Sequence, residues 1–397
     1  MKLARISADR SLISVRGLSL LLALGFALFY SKQLGVERRG LLTLVMTSNL
    51  VFSILLISGI SLHLRNLTKM GGADKYIGNY ILVVAGFSLF TPILNFGTLK
   101  LYEILFETNI PDNLYYVSLI YCFFSTLSYG FHDFLLLIKS VKLFAFMDIS
   151  IILIQIAAYF TLVFSGETSY FVSVLIAITI SYLVMTFSTL VLVLSQYKPI
   201  LSFDILVFKH LFRESGSPYL LNLASQLLER LDKVFIGLQT SSADLGRYST
   251  NQSIFGLLKF FPDSISKLSI ARNRNYLVKL PSSKTRNFML VFLIIPLTQA
   301  ISELVRIALG PEWIIAWYLL ISVAVIEIMR GFHNIVTTNI VRLGKFERFK
   351  QMTIVQIFIG VVVQPISVYF LGIAGSILIN FCILAYGLAL MRKYVYA

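Results

Sequence analysis

Apolar runs of about twenty residues recur along this chain from its first thirty residues to its last. A helix rises about 1.5 Å per residue, so each run measures roughly 30 Å, the thickness of a bilayer's hydrocarbon core. Water is absent there, and each run must close its backbone hydrogen bonds within itself as a helix. Twelve spans are expected, near 12–31, 41–62, 78–99, 114–138, 143–164, 170–194, 216–239, 243–266, 287–308, 312–338, 351–370 and 373–391. Charged residues make up 13% of the 397, against about 25% in an ordinary soluble protein. The expected fold class is all-α: a polytopic membrane protein with about twelve transmembrane helices.

The net charge of +15 raises the question of nucleic acid, and its distribution answers it. With a cytoplasmic N-terminus, the loops on that side hold 23 of the 34 Lys and Arg. They include Arg65, Lys69 and Lys75, the six from Lys267 to Arg286, and Arg342, Lys345, Arg348 and Lys350. The opposite loops hold Lys32, Arg38, Arg39, Lys100 and Arg247. This is the positive-inside pattern and sets both termini in the cytoplasm, with no nucleic-acid partner. The six-residue basic cluster can touch anionic headgroups of membrane lipids. Lys2, Arg5 and Arg10 precede a first run too long for a signal-peptide core and without a small-x-small cleavage site, so it reads as a retained span. Cys122 and Cys382 lie singly within spans and read as packing residues.

No loop is long enough to form a domain. The longest break, 195–215, carries Leu201, Ile205, Phe208 and Phe212 at helical spacing and predicts an amphipathic helix in the interface plane. The expected organisation is an N-terminal six-helix bundle at 1–195, a connector at 196–215 and a second bundle at 216–397. Offset by 206 residues, Phe29 meets Phe235, Gln33 meets Gln239, Gly40 meets Gly246 and Thr43 meets Ser249. Both copies end a span, turn through a glycine and begin another; both halves have six spans and begin inside, so they read as parallel repeats related by an axis along the membrane normal.

The seventh span carries Glu229, Arg230, Asp232 and Lys233 within five residues. Each charge costs roughly 2.5–3.5 kcal/mol at the bilayer centre, about 10 kcal/mol for four left unpaired. Such groups pair with one another or face a water-filled path. On an unbroken helix, Asn222, Gln226, Arg230, Lys233 and Gly237 share a face with Glu229 at its margin, while Asp232 points away toward a neighbouring helix. Internal pairing and a cationic lining for an anion are both open. In the tenth span Glu327, Arg330, Asn334 and Thr338 share a face, and the first two can pair. Lys259 and Asp263 flank Pro262, which favours a kink. His132, beside Asp133, is a satisfied polar residue or a proton relay. Arg16 either snorkels to the inner headgroups or reaches into a vestibule.

No His-Glu-x-x-His run, phosphate loop or nucleophile elbow occurs, and no metal or cofactor is implied. The chain reads as a transporter rather than an enzyme. Two segments then carry a resemblance: Leu34-Gly35-Val36-Glu37-Arg38-Arg39-Gly40-Leu41, and Leu231-Asp232-Lys233-Val234-Phe235-Ile236-Gly237 followed by Ser242-Ala243-Asp244-Leu245-Gly246-Arg247-Tyr248-Ser249. Both resemble the polysaccharide-unit flippases, the Wzx-type O-antigen and capsule transporters of the multidrug/oligosaccharidyl-lipid/polysaccharide exporter superfamily. The chain departs from that pattern at Arg38-Arg39, where an acidic or aromatic residue is commoner.

The resemblance implies a MATE-like pair of six-helix bundles alternating between inward- and outward-open states in the bacterial inner membrane. The implied substrate is an undecaprenyl-diphosphate-linked oligosaccharide, and a glycan polymerase is a candidate partner. Arg230, Lys233, Lys259, Arg330 and Arg16 are the candidate diphosphate-binding residues. Asp232, Glu229, Asp263 and Glu327 are candidates for coupling or pairing; Asn222, Gln226, Asn334 and His132 are candidate polar lining. A multidrug exporter of the same superfamily is the nearest alternative, but each of Asp232, Asp263 and Glu327 has a basic neighbour within four positions. A membrane polysaccharide polymerase or ligase is the other; its large outer loop is not visible in the sequence.

Overall fold

The computed structural model describes residues 2–57, 73–107, 110–132, 141–166, 169–260, 262–264, 294–343 and 346–395. The basic stretches holding Arg65, Lys69 and Lys267 to Arg286 lie outside these. No strand occurs among the described residues. The helices are α1 (Lys2–Ile57), α2 (Ala73–Phe106), α3 (Asp112–His132), α4 (Val141–Ser165), α5 (Tyr170–Gln196), α6 (Ile205–Leu227), α7 (Leu231–Gln239), α8 (Ser242–Phe255), α9 (Ile294–Ala308), α10 (Trp317–Leu343), α11 (Phe346–Phe358) and α12 (Gln364–Val395). A 3₁₀ turn, Gly256–Lys259, extends α8, and a π-helical segment, Ile359–Val363, joins α11 to α12.

Seven stretches among the described residues are long and apolar enough to cross a membrane. Ser14–Ile57 and Phe349–Leu390, of 44 and 42 residues, are each about twice one crossing. A glycine divides each. Gly35 in α1 has φ 75° and Gly372 in α12 has φ 58°, a left-handed backbone that a Cβ would strain. The expected first and last pairs of spans correspond to these divided helices. Pro92 sits inside the 34-residue α2 and donates nothing to the Ser88 carbonyl one turn back. The Thr91 hydroxyl donates to that carbonyl at 3.2 Å instead, and α2 stays continuous.

The chain forms two compact units. The first comprises Met1–Ile13, Leu20–Leu44 and Leu228–Ala397; the second comprises Ser14–Ser19 and Val45–Leu227. These units and the repeat halves of the sequence are different partitions, since Leu20–Leu44 pack with the C-terminal residues.

In the second unit, α3 packs on α2 and α5, and α4 packs on α5. Ile57, Ile77, Tyr80, Val84, Phe131, Val193 and Leu211 are among its core. A web of uncharged groups runs through it. Ser48 donates to Asn95 Oδ1 at 2.5 Å, Asn95 Nδ2 donates to Cys122 Sγ at 2.7 Å, and Asn49 donates to Ser125. Thr126 shares hydrogen bonds with Ser53 at 2.8 Å and Thr91 at 2.9 Å.

The interface helix expected through Leu201 is shorter than its spacing predicts. Residues 197–204 are non-helical, and α6 begins at Ile205 and continues to Leu227. Asn79 is the reason: its amide donates to the Ser202 carbonyl at 3.1 Å and accepts from the Asp204 amide at 2.9 Å. Those groups are no longer free to join a helix. Asp204 then caps α6, its Oδ1 accepting the Leu206 amide at 2.8 Å. The Lys75 ammonium, 2.6 Å away, and that amide hold the Asp204 carboxyl below its ordinary pKa.

In the first unit, α7 and α10 pack on α12. The 206-residue offset appears there as a contact. A Cβ at Gly40 would overlap the Ser242 carbonyl, and one at Gly246 would overlap the Val36 carbonyl. Ser242 is the offset partner of Val36, so the two approaches are the same contact made twice. Thr43 and Ser249, also offset partners, share a hydrogen bond at 3.0 Å.

Candidate functional site: an ionic network at a broken helix

The unbroken helix expected over 216–239 is interrupted. Residues 228–230 form a turn between α6 and α7, and Arg230 takes the N-cap position at φ −121° without a side-chain cap bond. The break removes the continuous face on which Asn222, Gln226, Arg230, Lys233 and Gly237 would align. Gln226 stands half-buried before it; the side chain of Asn222 lies outside the described residues.

A broken helix exposes carbonyls on one side and amides on the other. Ions from this chain meet both. The Arg330 guanidinium reaches the Leu228 carbonyl at 3.4 Å. Asp232, in the first turn of α7, accepts the Lys233 amide on Oδ1 at 2.8 Å, where the helix dipole favours a carboxylate.

Asp232 is fully buried. Its Oδ2 accepts from Tyr248 at 2.8 Å, Arg330 at 3.0 Å, Asn380 at 3.3 Å and Gln252 at 3.4 Å. Arg330 also pairs with Glu327 at 2.5 Å. Glu327 accepts from Gln252 at 3.1 Å and lies 3.6 Å from the Lys259 ammonium. Lys259, ending the 3₁₀ turn after α8, pairs with Glu229 at 3.0 Å. The ions thus alternate from Glu229 through Lys259, Glu327 and Arg330 to Asp232. Nearby, Asp263 accepts from Asn334 at 2.8 Å.

This arrangement separates four candidate cations. Arg330 and Lys259 each lie between two carboxylates. Arg230 and Lys233 have no salt-bridge partner among the described residues, and Arg230 Nε is sealed from solvent with no hydrogen-bond partner. Both side chains are half-buried.

Arg16 and His132 belong to the other unit. Arg16 Nε lies 3.6 Å from Asp148, and His132 Nε2 lies 3.9 Å from the same carboxylate. Ser19 donates to the Asp148 carbonyl at 3.2 Å. Asp133 lies outside the described residues.

Sequence reasoning singled out neither Gln252 nor Asn380, and it passed over Asp148. Tyr248 stood in the quoted turn motif, and Gln252 follows it by one helical turn. For Asn380, 148 residues from its partner, the sequence holds no local signal.

The family model described as "Polysaccharide biosynthesis protein" matches residues 34–313. No curated protein matches the chain. Among solved structures, the lipid II flippase MurJ in an inward closed conformation is similar with a TM-score of 0.65 at 16% identity, over 97% of this chain and 87% of that one. An inward-facing multidrug resistance MATE family transporter of the MOP superfamily gives 0.59 at 12% identity, over 95% and 94%. A MOP superfamily transporter from Pyrococcus furiosus gives 0.53 at 12% identity, over 99% and 95%. At these identities the likeness establishes the fold, which is the all-α, MATE-like fold expected from the sequence.

Proposed function

The chain belongs to the polysaccharide biosynthesis protein family, and from that premise we propose that it is a flippase for undecaprenyl-diphosphate-linked oligosaccharides. In this reading it works by alternating access in the bacterial inner membrane, with both termini cytoplasmic. The sugar and diphosphate are too polar to cross lipid unaided. The observation that carries the proposal is the pair Arg230 and Lys233. Their charges are held at a helix break, half-buried, with no carboxylate bridged to either among the described residues. A diphosphate supplies the missing anion.

Lys259 and Arg330 hold the break in shape and present Arg230 and Lys233 to the substrate. Asp232, Glu229, Glu327 and Asp263 balance the embedded charge, and coupling to an ion gradient runs through Asp232 or Glu229. Asn334, bonded to Asp263, lines the polar side. Arg16 and His132, both beside Asp148, form a second polar group near the cytoplasmic end of their spans.

Arg230→Ala and Lys233→Ala are expected to abolish surface glycan while the protein still reaches the membrane. Complete polyprenyl-linked units should then collect on the cytoplasmic face, as they should in cells lacking the gene. Wild-type glycan in both variants would remove the diphosphate assignment. Single units on the outer face of the deletion strain would place a polymerase ahead of a flippase.

A further inference from the structure

Arg39 is a cation outside the network just described. It lies in the second part of α1, beyond the left-handed Gly35, and is 6% exposed. Its guanidinium stands over the Tyr30 ring, 5.1 Å from the centroid. Tyr30 is itself buried and packs edge-on against Phe26. Arg39 Nε is sealed from solvent with no hydrogen-bond partner. No salt bridge reaches the guanidinium among the described residues, whereas Arg330, Lys259 and Arg16 each have a carboxylate.

A ring face offsets only part of the desolvation of a buried guanidinium. An unpaired charge in that position works against the stability of the free protein. The planar fork of a guanidinium matches phosphate oxygens, and stacking on Tyr30 fixes the plane of that fork in advance. Lys32 and Arg38, exposed in the same stretch, add positive charge around it, against Glu37.

We propose that Arg39, backed by Tyr30, is a binding site for a lipid-borne phosphate between the first two spans. This rests on the proposed orientation, which puts residues 32–40 on the face opposite the cytoplasm. Two sources carry this chemistry there: the diphosphate of the carrier lipid as it leaves, and the headgroup of an anionic phospholipid.

The test compares wild-type protein with Arg39→Met and Arg39→Lys in detergent, by thermal unfolding and native mass spectrometry. Undecaprenyl diphosphate and phosphatidylglycerol are titrated separately. Without added lipid, Arg39→Met should melt at or above the wild-type temperature, because an unpaired buried charge has gone. Its apparent affinity should fall at least tenfold, and Arg39→Lys should lie between the two. A loss confined to undecaprenyl diphosphate identifies the carrier as occupant; a loss that includes phosphatidylglycerol identifies a headgroup site.

An Arg39→Met protein that melts lower and binds both lipids as the wild type does overturns the proposal. Should Arg39→Met fail to fold, Arg39→Lys decides: weakened binding supports the site and undiminished binding overturns it. Normal lipid binding by the Arg39 variants, with glycan lost in Arg230→Ala, removes this site alone. Intact glycan in Arg230→Ala and Lys233→Ala removes the diphosphate assignment at the helix break, and single units on the outer face of the deletion strain remove the flippase reading, whatever Arg39 binds.

Discussion

The two units bury polar groups in different ways. In the second, the web through Ser48, Asn49, Ser53, Thr91, Asn95 and Thr126 is built from hydroxyls and amides. The helices that carry it run through it continuously, and even Pro92 leaves α2 unbroken. In the first, Asp232, Glu229, Glu327, Lys259 and Arg330 form an ionic network. Helices lose regularity where they meet it: a turn at 228–230, a 3₁₀ turn ending at Lys259, and a π-helical segment whose Gly360 packs against Leu228. A neutral hydroxyl finds its partner one turn back or on the next helix. Ions need more, and a break supplies it, since Arg330 bonds a freed carbonyl and Asp232 accepts a first-turn amide. Charge and irregularity therefore sustain each other in one unit and are both absent from the described web of the other.

The sharpest way to break this comparison is Arg330→Met. It leaves Asp232 and Glu327 buried without that partner and should cost about 3–5 kcal/mol. Thermal unfolding in detergent would show it, and Asp232→Asn beside it should restore part of the loss. A melting temperature equal to wild type would mean that the ions do not hold the break. Gly40→Ala and Gly246→Ala should come next, at about 1–3 kcal/mol each, because each added methyl meets a backbone carbonyl. Equal losses in the two variants would support the duplicated contact; a loss in only one would refute its symmetry. Thr126→Val, in the uncharged web, should cost about 1 kcal/mol on the same assay. A loss as large as that of Arg330→Met would erase the contrast between the units.

The smallest effect concerns Asp204, at the start of α6. Its carboxyl sits below the ordinary value, so its stabilisation is present above the unfolded value of about 3.9 and is lost as pH falls through the folded one. Amide exchange across 197–206 should be slower in wild type than in Asp204→Asn at neutral pH. The two should converge in acid when compared at matched pH. No difference at neutral pH would assign the protection to Asn79 alone, and a difference that persists undiminished at low pH would show that the carboxylate charge is not its source.

The helices were legible because runs of apolar residues carry their own requirement for internal hydrogen bonds. The divisions at Gly35 and Gly372 fell where the first and last pairs of spans were separated. The break at 228–230 was not legible, for the sequence there holds no proline or glycine. Its stabilising partner, Arg330, comes about a hundred residues later, and local periodicity could only extrapolate an unbroken helix. The ions themselves were found, because charges in an apolar run stand out from their neighbours. Which would be paired depended on where α8, α10 and α12 come to rest. The same limit applies to residues 197–204, whose apolar spacing suits a helix until Asn79 takes two of its backbone groups.

The doubled glycine contact has a consequence for anyone recombining such chains. Each carbonyl, of Val36 and of Ser242, needs the missing side chain of the other copy, so neither segment can be judged alone. A hybrid joining the N-terminal part of one parent to the C-terminal part of another inherits one face of this seam from each. Crossover points that keep 36–43 and 242–249 from a single parent preserve the fit; a junction between them leaves two faces never selected to meet.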